Sequence, residues 1–387
     1  MNAPPASVAE ATAVGAPGAR PLPDHGALLL SALANPASTT LLSEDRWDLL
    51  LRTARQAKLL ALLAHRLAGA GALDTLPVER VRQHLTGSGC LAQHRRHGAL
   101  AILWGVDRAF HDFGHPVVLL KGAAYLFQEL PMAEGRIFDD VDILVPREAI
   151  PEAERRLTAM GWETEKPDPY DQNYYRVWSH ELPPMRHGAH RMQLDVHHTI
   201  LPVIGRARPD ATRLLARAIA LDGFRFRVLC PVDQVIHAAA HLFQDSDCVG
   251  KIRDLVDLDA MIRGFASTPG FWDELANEPR RHGLGRCLWY TLHYCRGLLG
   301  TPVPDAVFTA LAPEAPPPPL RRWMDAAIPS VIFPRHPDDR HPTRQPLAER
   351  LLEARAVFLR MPLHLLVYHA LMKQLRRRKS KTATAAA

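Results

Sequence analysis

An α+β protein is predicted by three features of this sequence. Helical periodicity runs from residue 26 to 113, short apolar strands alternate with helix from 114 to 205, and helical spacing returns from 206 to 372. The middle segment reads as a small α/β domain with a mixed sheet, flanked by N- and C-terminal helical regions. Residues 1–25, rich in Ala, Pro and Gly, read as a disordered leader, and residues 373–387 as a basic disordered tail.

Ser43 stands before RWDLLLRTARQAKLLALLAHRLAGAG, where apolar residues recur every three or four positions. Its hydroxyl suits an N-cap, and Glu44 and Asp45 suit the positive end of the helix dipole. Further helices are expected over 77–85 and 92–113, with Gly114-His115-Pro116 as the break. Val117-Val118-Leu119-Leu120 then reads as a buried strand leading into a helix over AAYLFQEL. Asp140 to Val145 is a second strand stopped by Pro146, and a surface helix follows, closed by Gly161. Strands are also expected near 162–165, 174–178 and 191–198. After Asp210, QVIHAAAHLFQDS, KIRDLVDLDAMIRGF and GRCLWYTLHYCRGLL carry helical spacing, and a last helix starts near Leu347.

Composition narrows the function classes. With 47% hydrophobic and 23% charged residues among 387, the chain is an ordinary globular one. No stretch approaches the ~18–20 continuous apolar residues needed to span a bilayer, and the N-terminus lacks the basic start and apolar centre of a signal peptide. Five cysteines without a CxxC pair argue against a disulfide framework or a thiolate zinc site, so reduced thiols in the cytoplasm are expected. The net charge of +6 suits an anionic substrate. Its densest run, Arg376-Arg377-Arg378-Lys379, reads as a solvated helix end; contact with nucleic acid is compatible with it but not indicated.

The chemistry-bearing pattern is Lys121-Gly122 after one strand, Arg136 in the following loop, and Asp140-Val141-Asp142 on the next strand. Strand residues i and i+2 share a face, so Asp140 and Asp142 project together while Val141 and Ile143 point into the core. Two carboxylates so close repel unless a cation lies between them or one is protonated. Oxygen donors on a rigid strand suit Mg²⁺ or Mn²⁺, with phosphate oxygens completing the shell. Met192 to His197 alternates in the same way, placing Asp195 with His197 on one face. If that strand lies beside the first, three carboxylates converge. His197 and His198 themselves read as polar residues on an open sheet face.

The order LLKGAAYLF, RIFDDVDILVP, a helix ending at Gly161-Trp162, and QLDVHH resembles the bacterial uncharacterised nucleotidyltransferase family of the polymerase-β-like nucleotidyltransferase superfamily. IHAAAHLF and IRDLVDLDAMI resemble that family's flanks. The resemblance implies that Asp140, Asp142 and Asp195 are the metal-binding acids, with an NTP such as ATP as donor. Lys121-Gly122 stands where most superfamily members carry Gly-Ser, so the serine hydroxyl is missing. Gly122 keeps a close backbone approach, and Lys121 adds a charge for the phosphates.

The expected activity is metal-dependent transfer of an NMP group from an NTP to an unidentified hydroxyl-bearing acceptor. Asp195 doubles as general base, and Lys121, Gly122 and Arg136 serve the nucleotide. The alternative is a non-catalytic nucleotide- or partner-binding module that retains the fold. Arg136 reads equally as a phosphate clamp or a loop ion pair. His237 and His241, one helical turn apart, could chelate zinc as a metal hydrolase would, but lack the protease Glu and read as packing residues, with Asp254 placed to hold one of them. Tyr174, Tyr175 and Trp178 read as strand aromatics of the core.

Overall fold

The computed structural model describes residues 22–339, 346–369 and 372. The leader before residue 22 and the basic tail lie outside these residues. The N-terminal region is helical: α1 (Asp24–Ala34), α2 (Glu44–Gln56), α3 (Leu60–Gly69) and α4 (Glu79–Ala109). The amide of Arg46 donates to Ser43 Oγ, which caps α2 as expected.

Two boundaries differ from expectation. The run after Ser43 is broken at Lys58, whose φ of 56° is left-handed, so it makes two helices instead of one. Conversely, the two helices expected over 77–85 and 92–113 are one, α4, which runs through Gly87 and Gly89. Interior glycine costs about 1 kcal/mol of helix propensity. Burial of Val81, Leu85, Ala92, Ala99, Ile102, Leu103 and Val106 along one stripe of α4 outweighs that cost.

The sheet has seven strands: β1 (Val117–Leu119), β2 (Asp140–Leu144), β3 (Trp162–Thr164), β4 (Met185–His187), β5 (Gln193–His197), β6 (Ile219–Ala220) and β7 (Phe226–Val228). Their order is β3-β4-β5-β2-β1-β7-β6. β5 is parallel to β2 and β7 is parallel to β1, while the other neighbours are antiparallel. The sheet is therefore mixed, as expected, and the fold is α+β. Two of its strands, β6 and β7, lie beyond residue 205, where the sheet was expected to end.

Helices α5 (Lys121–Phe127) and α6 (Ile150–Ala159) fall within this unit. The stretch 174–178 corrects an expected strand: it is a widened helical turn that continues α7 (Pro169–Asn173). Asp168 caps α7, its carboxylate accepting the amide hydrogens of Tyr170 and Asp171, and Pro169 presets the first turn. That start overrides the strand preference of Tyr, Val and Trp, which is weak where no neighbouring strand receives them. None of the three aromatics is fully buried.

The C-terminal region comprises α8 (Ala211–Ala216), α9 (Pro231–Ala240), α10 (Ile252–Phe265), α11 (Phe271–Arg281), α12 (Gly285–Leu299), α13 (Asp305–Ala310), α14 (Pro318–Val331) and α15 (Leu347–Arg360). A wide turn over His241–Asp245 extends α9. Met361 and Pro362 end α15, so the last helix expected from Leu347 onward is interrupted there. Phe243 and Tyr290 anchor the core of this region, as Trp47 and Phe110 anchor that of the first. No helix among the described residues is long and apolar enough to cross a membrane.

Candidate active site

The site forms where β2 and β5 run side by side. Their register sets Asp142 opposite Asp195 and Leu144 opposite His197. Val141, Ile143, Leu194 and Val196 are fully buried on the opposite face, which fixes the pleat and turns Asp140, Asp142, Asp195 and His197 to one side. Adjacent strands lie about 4.8 Å apart, so the Asp142 and Asp195 carboxyls are direct neighbours.

Lys121 closes the site from the end of β1. Its Nζ donates to Asp142 Oδ1 at 3.1 Å. Its backbone has a φ of 44°, a left-handed conformation that costs a non-glycine residue about 1–2 kcal/mol. Gly122 follows under tight packing, since a Cβ there would meet the Phe138 ring at 3.2 Å and Arg136 Nε at 3.3 Å. The close approach that requires glycine at 122 is thus made by side chains of the loop before β2.

Arg136 is held by Asp257 of α10 in a buried ion pair, and its guanidinium lies 5.4 Å from the centre of the Tyr125 ring. Of the two roles read from the sequence, the ion pair is the one seen, and it spans from the β2 loop to the C-terminal helices. Burial lifts the Asp257 carboxyl despite this partner, whereas the guanidinium, opposed by burial, is held protonated by Asp257.

The histidines correct another expectation. His197 does not sit on an open face: it is buried, and its Nε2 donates to Asp142 Oδ1 at 2.9 Å. The same atom lies 3.4 Å from Glu181 Oε2. Glu181 is the bridge partner of His197 across an antiparallel contact, and the His180 ring lies 5.1 Å from that of His197. Sequence reading passed over His180 and Glu181, because no periodic pattern marks the Ser179–Pro184 stretch. His237 and His241 lie near the same centre, and His241 Nδ1 is 3.8 Å from Asp254 Oδ2, the partner anticipated from the sequence.

Electrostatics separate the acids. Burial would raise Asp142, but Lys121 and His197 hold it well below the usual carboxylate range. At Asp195 the nearby His197 offsets only part of the opposing effects: burial first, then the charges of Asp142 and Glu181, push it up to about 8. Its Oδ1 is buried without a hydrogen-bond partner. Asp140, at the open end of β2, is raised mainly by the charge of Asp142. Burial also raises Glu181, while it lowers His180 and His237 far below the ordinary imidazole value and His241 to about 4. Lys121 shows the opposite balance: burial opposes its charge, and the surrounding acids, Asp142 foremost, hold it protonated.

A family comparison fits this arrangement. Residues 43–300, which include every strand among the described residues and the whole site, match the family model described as an uncharacterised nucleotidyltransferase. The chain belongs to this family. No curated protein and no solved structure matches it. Membership makes the chain a nucleotidyltransferase whose acceptor is unidentified. In this nucleotidyltransferase the acids stand on adjacent parallel strands, and the matched segment ends at Gly300, after the helices that surround them.

Proposed function

We propose that the chain moves an NMP group from an NTP to a hydroxyl-bearing acceptor, with Mg²⁺ or Mn²⁺ held by Asp140, Asp142 and Asp195. One observation carries this reading: Asp195, directly opposite Asp142, has a buried carboxyl oxygen with no partner and a raised proton affinity. A carboxyl kept at such cost in a pocket of like charge suits a divalent cation, and the hard oxygen donors fit Mg²⁺ or Mn²⁺. When bound, the ion would supply charge neutralisation for the phosphates and the leaving pyrophosphate.

The chain's own residues account for the remainder. In the transfer the acceptor oxygen bonds to the α-phosphorus, the bond from that phosphorus to pyrophosphate breaks, and the hydroxyl proton needs a base. Asp195, directly opposite Asp142, is the residue that takes it once the bound ion has displaced its own proton. Lys121 keeps Asp142 ionised and brings positive charge to the phosphates. Gly122 lets the loop before β2 pack against the start of α5. Arg136 contributes through position, tying that loop to α10.

A second reading, a binding module without turnover, is favoured by one observation. The Lys121 ammonium already neutralises Asp142, as a metal would, and no serine hydroxyl accompanies it. The two readings separate when the protein is incubated with α-labelled NTPs, Mg²⁺ or Mn²⁺ and a cell extract. Transfer predicts a labelled species that disappears with Asp142→Asn. A metal-dependent thermal shift with NTP, but no labelled species under any condition, would leave only the module.

A further inference from the structure

We propose a second cation site beside the aspartates, formed by His180, Glu181 and His197 and selective for a first-row transition dication of the Zn²⁺ class. It goes beyond the nucleotidyl-transfer reading and does not rest on it. One ligand-type atom from each of the three side chains lies within 4.8 Å of those of the other two. That spacing allows a single ion to reach all three with modest side-chain movement.

The backbone builds the cluster. Glu181 and His197 are antiparallel bridge partners, so their side chains share a face. The carbonyl of His180 accepts the amide hydrogen of His198 at 2.9 Å, which pins the preceding residue to the same strand end. Both imidazoles carry a nitrogen, Nδ1 in each, that is buried and has no hydrogen-bond partner. The nitrogens that face the carboxylate are the other two: His180 Nε2 and His197 Nε2 lie 3.7 and 3.4 Å from Glu181 Oε2.

The donor set decides the class of ion. Two imidazoles and a carboxylate are borderline donors that favour Zn²⁺, Co²⁺ and their neighbours, whereas Mg²⁺ prefers oxygen alone. Asp142 Oδ1, 2.9 Å from His197 Nε2, stands at the edge of the cluster, and His197 gives up that hydrogen bond and its proton when the nitrogen turns to the ion. Among the described residues the other compact group, Asp233, Glu278 and His282, is unlike this one: Arg217 and Arg213 already hold its carboxylates. His237 and His241 belong to neither group.

The test uses the full-length protein, stripped with chelator and titrated with Co²⁺ in millimolar Mg²⁺, with visible absorption and bound metal as readouts. One equivalent of Co²⁺ with the intense bands of a low-coordinate site is expected. Its affinity should fall at least about tenfold with His180→Ala and with Glu181→Gln. It should persist with Asp140→Asn, which separates this site from the aspartate triad, and with His241→Ala. Wild-type protein that binds no stoichiometric Co²⁺ overturns the proposal, as does binding unchanged by Glu181→Gln or abolished by His241→Ala. If His180→Ala proves unfolded by circular dichroism, Glu181→Gln and the wild-type spectrum decide.

Discussion

Asp142 and Asp195 face each other across parallel strands, yet the first is held ionised by Lys121 and His197 while the second retains a proton up to about pH 8. The pair behaves as one unit, since ionising Asp195 brings a second negative charge against the first.

A proton on Asp195 competes with a cation for the same oxygens. Mn²⁺ affinity, measured by titration calorimetry, should therefore weaken roughly tenfold per unit as pH falls below 8, and level off above it. The cation-free protein follows the opposite trend. A carboxyl whose proton affinity is raised on folding favours the folded state at low pH, and that advantage fades as pH rises from about 4 to about 8. Melting temperature should fall across that window, and Asp195→Asn should flatten the fall. Equal pH slopes in the two proteins would refute the assignment.

Lys121 serves two purposes that substitution can part. Lys121→Met leaves Asp142 buried without its ammonium and should lower stability by about 3 kcal/mol. Lys121→Gly loses the same charge but relieves the left-handed backbone, so it should be about 1–2 kcal/mol less damaging than Met in urea unfolding. Both should abolish label transfer.

Arg136 and Asp257 are each enclosed, so breaking the pair should cost more than deleting it. Arg136→Met or Asp257→Leu alone should destabilise by about 3–5 kcal/mol, and the double variant by less than the sum. Additive losses in chemical denaturation would show that the ion pair adds nothing.

Gly135 sits at φ 65°, and a Cβ there would fall 2.6 Å from the backbone of Ala61 and Leu62. Neither atom set belongs to a side chain that can turn away. Gly135→Ala should therefore cost more than about 2 kcal/mol, from left-handed strain and overpacking together. Because the loop it anchors leads into β2, cation affinity should fall as well. A Tm within a degree of wild type would contradict this.

How far the sequence carried depends on the element. β2 was legible because Val141 and Ile143 alternate with two acids and Pro146 stops the run, and the same alternation exposed Asp195. The α2 cap was legible from Ser43. β4 and β7 were not, since neither offers the unbroken apolar run that marked β1, and each acquires its identity only from distant partners: Phe226–Val228 pairs with Val117–Leu119. The helical turn at 174–178 was hidden behind strand-forming residues whose fate is set upstream by Asp168. Glu181 was invisible for a related reason. Its meaning comes wholly from lying across from His197, a tertiary fact with no local signature.

β7 has a consequence for how this molecule comes into being. During synthesis Lys121, Asp142 and Asp195 all leave the ribosome before Phe226 does, so β1, which aims Lys121, waits with one flank bare while later chain is made. A fragment stopped at residue 205 would keep Asp140, Asp142 and Asp195 yet expose that flank as a sticky edge, prone to pairing with its neighbours in solution. The smallest piece able to hold the pocket in shape must extend past Val228.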